Sequence, residues 1–513
     1  MKMPSVMGPN KQFAKVPQAN IPRSTFDRSH AYKTTFDQGL LVPVYLDEVY
    51  PGDTFNLKMT AFARLATPIK PIMDNMYLDS FFFFVPYRLC WVNFRKMLGE
   101  QLSPGDSIAY TMPQVSVPAA GYNTGTLEDY FGIPVGIACT ATSWSHSAMP
   151  LRSYYRIWNE WFRDENLVNG IGMNTGNGPD GVGAGGSSVL RRGKRHDYFT
   201  SCLPWQQKGT AVDLPLGDTA PVFVGAATTA IGVGVTQAAS STPKLLNDAG
   251  ASNIQATAAS GGTALLADLT GATASTINEI REAFQIQKLL ERSARSGTRY
   301  PEIIKAHFGV TDPSHAVLQR PEYLGGGSSP LNVTPVSQQS ATVDGAGAAG
   351  TPQGNLAAIG TVVANEHGFV KSFTEYGIVM GLVSVRCDLS YQQGMERFWN
   401  RETRYDMYYP EFAHLGEQGV LNKEIYLADN AAQNDAAFGY QERFAELRYK
   451  PSKVTGLFRS NPTGGASTLE VWHLAQDFGA LPTLNSTFIE DNIDVDRVIQ
   501  RSEERRVGKE CRS

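Results

Sequence analysis

Cationic side chains are the groups in this sequence best placed to do chemistry. Arg191, Arg192, Lys194 and Arg195, followed by His196, make the densest basic run before the C-terminal tail. Guanidinium and ammonium groups crowded in this way pair with phosphates or with the carboxylates of an adjoining surface. The run fits a nucleic-acid contact or a contact between subunits, and its spacing does not choose between them. A second set, Lys2, Lys11, Lys15, Arg23, Arg28 and Lys33, faces a single acid, Asp27, within Met1–Lys33. That segment has few aliphatic residues and several prolines, so it reads as a basic arm that does not fold alone. A flexible cationic arm binds phosphates without reading base sequence.

Patterns that would support catalysis or a cofactor are weak. Glu411 and His414 spell ExxH, but Pro410 precedes them and no second copy exists to complete a carboxylate-bridged metal site. Gly181, Gly183 and Gly186 spell GxGxxG inside a run that reads as loop, whereas a dinucleotide site needs a strand before it and a helix after it. The histidines show no HxH or HExxH spacing, and the five cysteines form no CxxC pair. No catalytic residue, metal site or cofactor is assigned. The scattered cysteines read as reduced thiols. In Leu151–Leu167, the residues Leu151, Tyr155, Trp158 and Phe162 form one helical stripe surrounded by Arg152, Arg156 and Arg163. Such a stripe can stack nucleic-acid bases or pack on a sheet, and packing is the favoured reading.

The elements that must carry these groups are mostly strands. The chain has 513 residues, only 18% of them charged, with 49 Gly and 29 Pro, which suits a loop-rich β protein. Its net charge of −4 excludes the chain as a whole from general polyanion binding. Leu40–Val49 and Thr54–Leu65 alternate as strands around a turn at Pro51, Gly52 and Asp53. Tyr77–Val85 contains FFFFV and is apolar on both faces, as is Tyr376–Leu389. Leu469–Leu474 reads as a short strand and Trp91–Leu98 as a short helix. Core strands are expected from Leu40–Val85 and Tyr376–Val498. Gly209–Ser275 has five charged residues and one aromatic, Phe223, so it cannot build a large core. It reads as a projecting loop or small β-rich knob. Gly325–Asn355, with one charge at Asp344, reads as surface loop. Thr276 and Glu279 have capping-box spacing, and Ile277, Ile280, Phe284, Ile286 and Leu290 give an apolar face. A buried helix stopping near Gly297, followed by an extended arm punctuated by proline, is expected. No apolar run reaches membrane-spanning length.

Several long segments resemble one family. TINEIREAFQIQKLLERSARSGTRYPEIIKAHFGVTDPSHAVLQRPEYLGGG (Thr276–Gly327) is similar to the major capsid protein of gokushoviruses, small icosahedral single-stranded DNA phages of the microvirus family. So are Phe26–Phe55, Arg192–Gly209, Arg397–Gln418 and Gly439–Gly456, in the family's order. The resemblance covers roughly Phe26–Ile499. It implies an eight-stranded jelly-roll sandwich, mainly β, with long loop insertions and a few helices. It implies a self-assembling subunit of a T=1 shell around single-stranded DNA, located in the virion and assembled in the host bacterial cytoplasm. Partners would be further copies of the chain, the packaged DNA, minor capsid and internal scaffolding proteins, and a bacterial surface receptor, without membrane insertion. The expected organisation is a basic arm over 1–33, capsid domain over 34–208 and 276–500, and a projecting host-attachment insertion over 209–275. The alternative is a β-sandwich carbohydrate-binding protein or glycoside hydrolase, which would need an aromatic platform or an acid pair in a cleft. Arg501–Ser513, RSEERRVGKECRS, reads as the translation of a sequencing adapter. Native sequence is therefore expected to stop near Gln500, with the C-terminus truncated and a sheet edge left vacant.

Overall fold

The structure, a computed structural model, describes residues 22–499 except 141–142, 183–186, 312, 341–352, 414, 463–466, 494 and 496; of 213–275 it describes only the backbone of five short strands. The chain divides between Thr35 and Phe36. Pro22–Thr35 is extended, without helix or strand. The remainder is built on six strands: Val42–Val49 (β1), Thr54–Arg64 (β2), Met76–Pro86 (β3), Glu322–Ser337 (β4), Leu356–Ser372 (β5) and Gly377–Cys387 (β6). They form one antiparallel sheet in the order β1-β6-β3-β4-β5-β2.

This order forces the sheet to curl. β1 and β2 lie at opposite ends of it, yet only Tyr50–Asp53 separates them in sequence. Gly52, at φ 91°, makes the turn and donates its N–H to the Phe373 carbonyl at 2.7 Å, while Phe373 N–H returns a bond to Asp53 at 2.8 Å. β4 makes the passage between layers. Its first part, Glu322–Leu331, pairs with β3, and Asn332–Ser337 pairs with β5. Inside the curl, Phe82 meets Phe369 at 5.7 Å and Phe84 meets Phe373 at 4.7 Å between ring centroids.

The opposite face of β3 and β6 is covered by a helix, Met149–Ile157 (α1), which continues as a π turn over Trp158–Phe162. Phe83, Val85, Met380 and Leu382 pack there with Leu151, Tyr154 and Trp158. Both faces of β3 and β6 are thus buried, which is why their sequences are apolar almost without interruption. The aromatic stripe of α1 is a packing stripe. Tyr154 hydroxyl donates to the Leu41 carbonyl at 2.8 Å and accepts the Leu190 N–H at 3.0 Å, tying helix to strand. Arg152, 1% exposed, runs into the core.

Five sequence expectations need correction. Gly325–Ser337 is sheet, not surface loop. Its glycines reflect lack of room: a Cβ on Gly326 would overlap the Ser80 carbonyl, and one on Gly327 the His367 ring. The core strands therefore come also from β4 and β5, outside the two expected windows. Leu469–Leu474 is not a strand but a 3-10 turn at Glu470–Trp472, because no neighbouring strand offers it a ladder among the described residues. The capping box of Ile277–Arg295 (α2) forms as read, with Thr276 N–H donating to Glu279 at 2.7 Å. Yet α2 is not buried: Ala294 alone is fully enclosed, and Ile277 and Phe284 are exposed. Periodicity records that a face suits burial, not that this chain supplies the cover. Past Gly297 the chain forms a second helix, Tyr300–Phe308 (α3), rather than an extended arm; Pro301 lies in its first turn, where no N–H is needed.

Trp91–Leu98 holds a single helical turn, Phe94–Met97, after another at Tyr87–Cys90. A second core gathers Tyr198, Phe199, Tyr391 and Val420 around the hairpin Glu417–Leu421 (β7) and Ala437–Glu442 (β8). In the insertion, Pro243–Asp248 pairs antiparallel with Val233–Thr236 and Ile254–Ala258, and Val222–Val224 with Leu265–Ala267. These two small sheets are separate from the main one.

Candidate functional site

The basic run is threaded between the start of the sheet and the last described loops. Leu41 N–H donates to Leu190, Arg192 N–H to Gly39, Lys194 N–H to Ile489 and Asp491 N–H to Arg192, all at 2.7–3.0 Å. With the backbone fixed on both sides, the side chains alternate in direction. Arg191 donates to the Gln38 and Asp491 carbonyls, each at 3.0 Å. Arg192 pairs with Asp79 at 2.8 Å and lies 5.3 Å over the Phe81 ring. Lys194 is buried, donates to Gln476 at 3.0 Å and sits 4.7 Å over the Phe488 ring. Arg195 is the outward member, pairing with Asp388 at 2.9 Å on an exposed surface. Three of the four cations are therefore engaged inside the subunit.

Two acids answer this run, with opposite behaviour. Burial pushes the Asp79 carboxyl up, but the Ser328 hydrogen bond and the Arg386 and Arg192 guanidiniums outweigh it and hold it below its ordinary value. At Asp491 burial wins over Arg192, Lys194, Arg191 and Arg386, and the carboxyl is raised to about 6. An acid with a raised folded pKa binds its proton more tightly when folded. Its contribution is full below the unfolded value, about pH 4, and is lost as pH rises through the folded value. The stability of the wild type relative to Asp491→Asn is thus expected to fall between about pH 4 and about pH 7, by on the order of 3 kcal/mol. Parallel denaturant titrations across that range test this, and a constant difference rejects it.

The arm cations divide by position. Lys2, Lys11 and Lys15 lie outside the described residues. Arg23, Arg28 and Lys33 lie on the extended stretch and are exposed. Asp27 accepts hydrogen bonds from the Ser29 N–H and hydroxyl at 2.9 and 2.6 Å. Of the weaker motifs, His414, Gly183 and Gly186 fall outside the described residues, as does the tail Arg501–Ser513. Among the described residues no group of three or more His, Cys, Asp or Glu could hold a metal, and no helix is long and apolar enough to cross a membrane. Cys90, Cys139, Cys202 and Cys387 are free and buried, and burial pushes the Cys90 thiol up to about 11.

Two features escaped sequence reasoning. The first is the fork of Arg152 on Asp180, with Nε and Nη2 each donating at 2.7 Å while Nη1 donates to the Cys90 and Gly176 carbonyls at 3.1 and 2.9 Å. The second lies under the family-like segment Arg397–Gln418. There a cavity of about 300 Å³ is lined by Phe398, Tyr449, Lys450 and Arg401, over a base of Arg397 and Glu424. Arg397 donates to Glu424 at 3.0 Å, and Tyr198 hydroxyl donates to the other oxygen at 2.9 Å. Burial raises the Glu424 carboxyl even so, against the pull of Arg397. The alternation of arginine and aromatic residues in RFWNRETRYDMYY was the available signal.

A curled antiparallel sheet that turns most of a basic run inward and leaves large side chains such as Phe284 and Trp399 exposed suits a subunit that packs against others. The chain belongs to the phage capsid protein (F protein) family, whose model matches residues 14–507. It is 44% identical to capsid protein VP1 of Bdellovibrio phage phiMH2K, over 94% of this chain and 91% of that one. Identity is 42% to capsid protein VP1 of Chlamydia phage 1, over 97% and 94% of the two chains. It is 36% to capsid protein VP1 of Spiroplasma virus 4, over 94% and 90%. The resemblance to gokushovirus major capsid proteins therefore holds, and the protein is a structural component of the virion. These relatives are coat proteins and not enzymes, so the carbohydrate-binding or hydrolase alternative falls away.

Proposed function

We propose that this subunit assembles with about sixty copies of itself into a closed T=1 icosahedral shell around single-stranded DNA, with its contacts repeated by symmetry. The observation that carries this reading is the similarity to phage capsid proteins over nearly the whole chain. The scaffold is an eight-stranded jelly roll in this reading. Nested pairing within the six-stranded main sheet supports the roll, though six strands and not eight take part in it: β1 pairs with β6 and β2 with β5. A hairpin rolled up on itself pairs its strands in this way.

The working parts follow the expected divisions. Residues 1–33 act as the DNA arm, 34–208 and 276–500 as the shell domain, and 209–275 as an outward projection that meets a bacterial surface receptor. The low charge of 209–275 and the separateness of its two small sheets support the projection. Minor capsid and internal scaffolding proteins are further partners. Arg195, with its outward pair to Asp388, is the member of the basic run that serves a subunit contact, while Arg191, Arg192 and Lys194 shape the surface behind it.

Lys2, Lys11, Lys15, Arg23, Arg28 and Lys33 bind the packaged DNA collectively. Neutralising six phosphates on a single strand predicts a slope near −4 for log affinity against log salt, from roughly 0.7 per phosphate. Deleting residues 1–23 is expected to flatten that slope and reduce the DNA recovered per particle. Unchanged DNA content and salt slope would show that the arm only links subunits.

A further inference from the structure

We infer that the aromatic surface spanning Phe398–Tyr409 and Phe444–Tyr449 is a contact site for a second copy of this chain, centred on Trp399 and the cavity beside it. The identity of the occupant rests on the shell reading above. The position rests on the surface itself.

Phe398, Trp399, Tyr405, Tyr408, Tyr409 and Tyr449 are each between 43% and 68% exposed. At roughly 200 Å² per aromatic side chain, they present about 600 Å² of ring surface. That alone reaches the upper range of patches on ordinary monomers, about 300–600 Å², and approaches the roughly 800 Å² each partner buries in a standard interface. The exposed rings are linked to one another through the buried Phe444. Phe398 stacks on Trp399 with ring centroids 4.5 Å apart, and Phe398 and Leu447 line the same cavity. Leu447 N–H donates to Phe444 at 3.0 Å, and the Phe444 ring lies 5.0 Å from Tyr408.

The charges around this surface decide the kind of partner. Arg397 is paired with Glu424 and Arg401 with Glu446, at 3.0 and 3.3 Å. Lys450 and Lys453 both pair with Glu396, and Arg448 pairs with Glu442. A groove for single-stranded nucleic acid combines stacking rings with cations offered to phosphates. Here carboxylates within the chain hold five of the cations, while Arg404 is exposed and lies 5.0 Å over the Tyr405 ring, with the exposed acids Glu402 and Asp406 on either side of it in sequence. That composition, rich in aromatic residues and arginine with its charges matched, fits the centre of a protein interface.

The surface is also held in shape before contact. Phe444 is fixed at φ 64°, a left-handed conformation that bulky residues rarely adopt, and the Arg443 guanidinium lies 5.0 Å over its ring. A preformed surface loses less freedom on binding. The cavity of about 300 Å³ beside Phe398 can receive a side chain of the neighbour, and buried aromatic anchors in such pockets dominate binding energy. A protrusion and a cavity on one patch are self-complementary, so two copies can meet across a two-fold axis, which an icosahedral shell supplies.

The test uses the full chain with Trp399→Ala, with Phe398→Ala/Trp399→Ala, and with Leu447→Lys as an independent exposed change. Circular dichroism melts check that each variant folds. Sedimentation velocity and negative-stain electron microscopy measure assembly, and filter binding of a single-stranded oligonucleotide measures nucleic-acid affinity. Variants that fold as the wild type but lose particle yield by about tenfold or more, with oligonucleotide binding unchanged, are the expected result. Normal assembly in the folded variants overturns the inference. So does intact assembly with weakened oligonucleotide binding, which would assign the surface to DNA. A wild-type chain that never assembles would overturn the shell reading and this inference with it, whereas a wild type that assembles together with its variants overturns this inference alone.

Discussion

Replacing Arg152 by alanine is expected to destabilise the subunit by about 3–5 kcal/mol, the usual cost of removing one partner from a buried ion pair. Arg152 is 1% exposed, and its guanidinium serves three acceptor groups: the Asp180 carboxylate and the carbonyls of Cys90 and Gly176. Alanine leaves the carboxylate without its fork and two carbonyls without a donor, in a region where water has little access. Lysine keeps the charge but presents a point donor to a site built for a planar fork, so Arg152→Lys should recover only part of the loss. Replacing both charges, as in Arg152→Met/Asp180→Leu, should cost less than Arg152→Ala, because no charge is then left unpaired. Denaturant unfolding of unassembled subunits measures all three. A loss below about 1 kcal/mol for Arg152→Ala would show that the fork is not holding α1 to the loop around Asp180.

The second large effect is expected at Phe83. Its ring is 1% exposed and packs against Trp161 at 5.5 Å, Phe162 at 5.9 Å and Tyr323 at 5.5 Å. Phe83→Ala removes a ring from the seam between the sheet and the helix layer, and should cost about 3–5 kcal/mol. Phe83→Leu keeps most of the volume and should cost less than about 1.5 kcal/mol. The contrast matters because the α1 layer and the basic run behind it both ride on this seam. A subunit weakened there is expected to lose assembly through its fold, seen as a lowered melting temperature before any loss of particles. Equal costs for the two substitutions would mean that the seam is loosely packed and does not feel ring volume.

Much of the scaffold was legible because it is written in local periodicity. β2 alternates exposed and half-buried residues along its whole length, as the pattern of Thr54–Leu65 requires. The FFFF run of β3 is apolar at successive positions because Phe82 and Phe84 face the interior of the curl while Phe83 faces α1. The capping box of α2 formed from four residues that need nothing beyond their own turn. The long family-like segments were legible for a different reason, since they carry shared wording rather than physics.

The basic run shows where such reading stops. Arg191, Arg192, Lys194 and Arg195 look alike in sequence, and their roles separate only when Asp79, Gln476, Asp491 and Asp388 arrive from elsewhere in the chain. Arg152 looked like one of several cations around an aromatic stripe, and only the approach of Asp180 made it a core residue. Gly325–Gly327 looked like loop because glycine is scarce in strands. The close passage of Ser80 and His367 excludes every larger side chain there.

By itself, then, the sequence determined the strands whose two faces are solvated differently, the helix starts that close on their own residues, and its family. Only the tertiary structure decided that β1 and β2 part to opposite edges of one curled sheet, that most of the basic run turns inward, and that the described residues leave the apolar face of α2 and the aromatic surface around Trp399 exposed. Alternation and capping are short-range, set within a turn or a strand. The partner of a charge and the cover over an apolar face are set by segments that lie far away in the sequence.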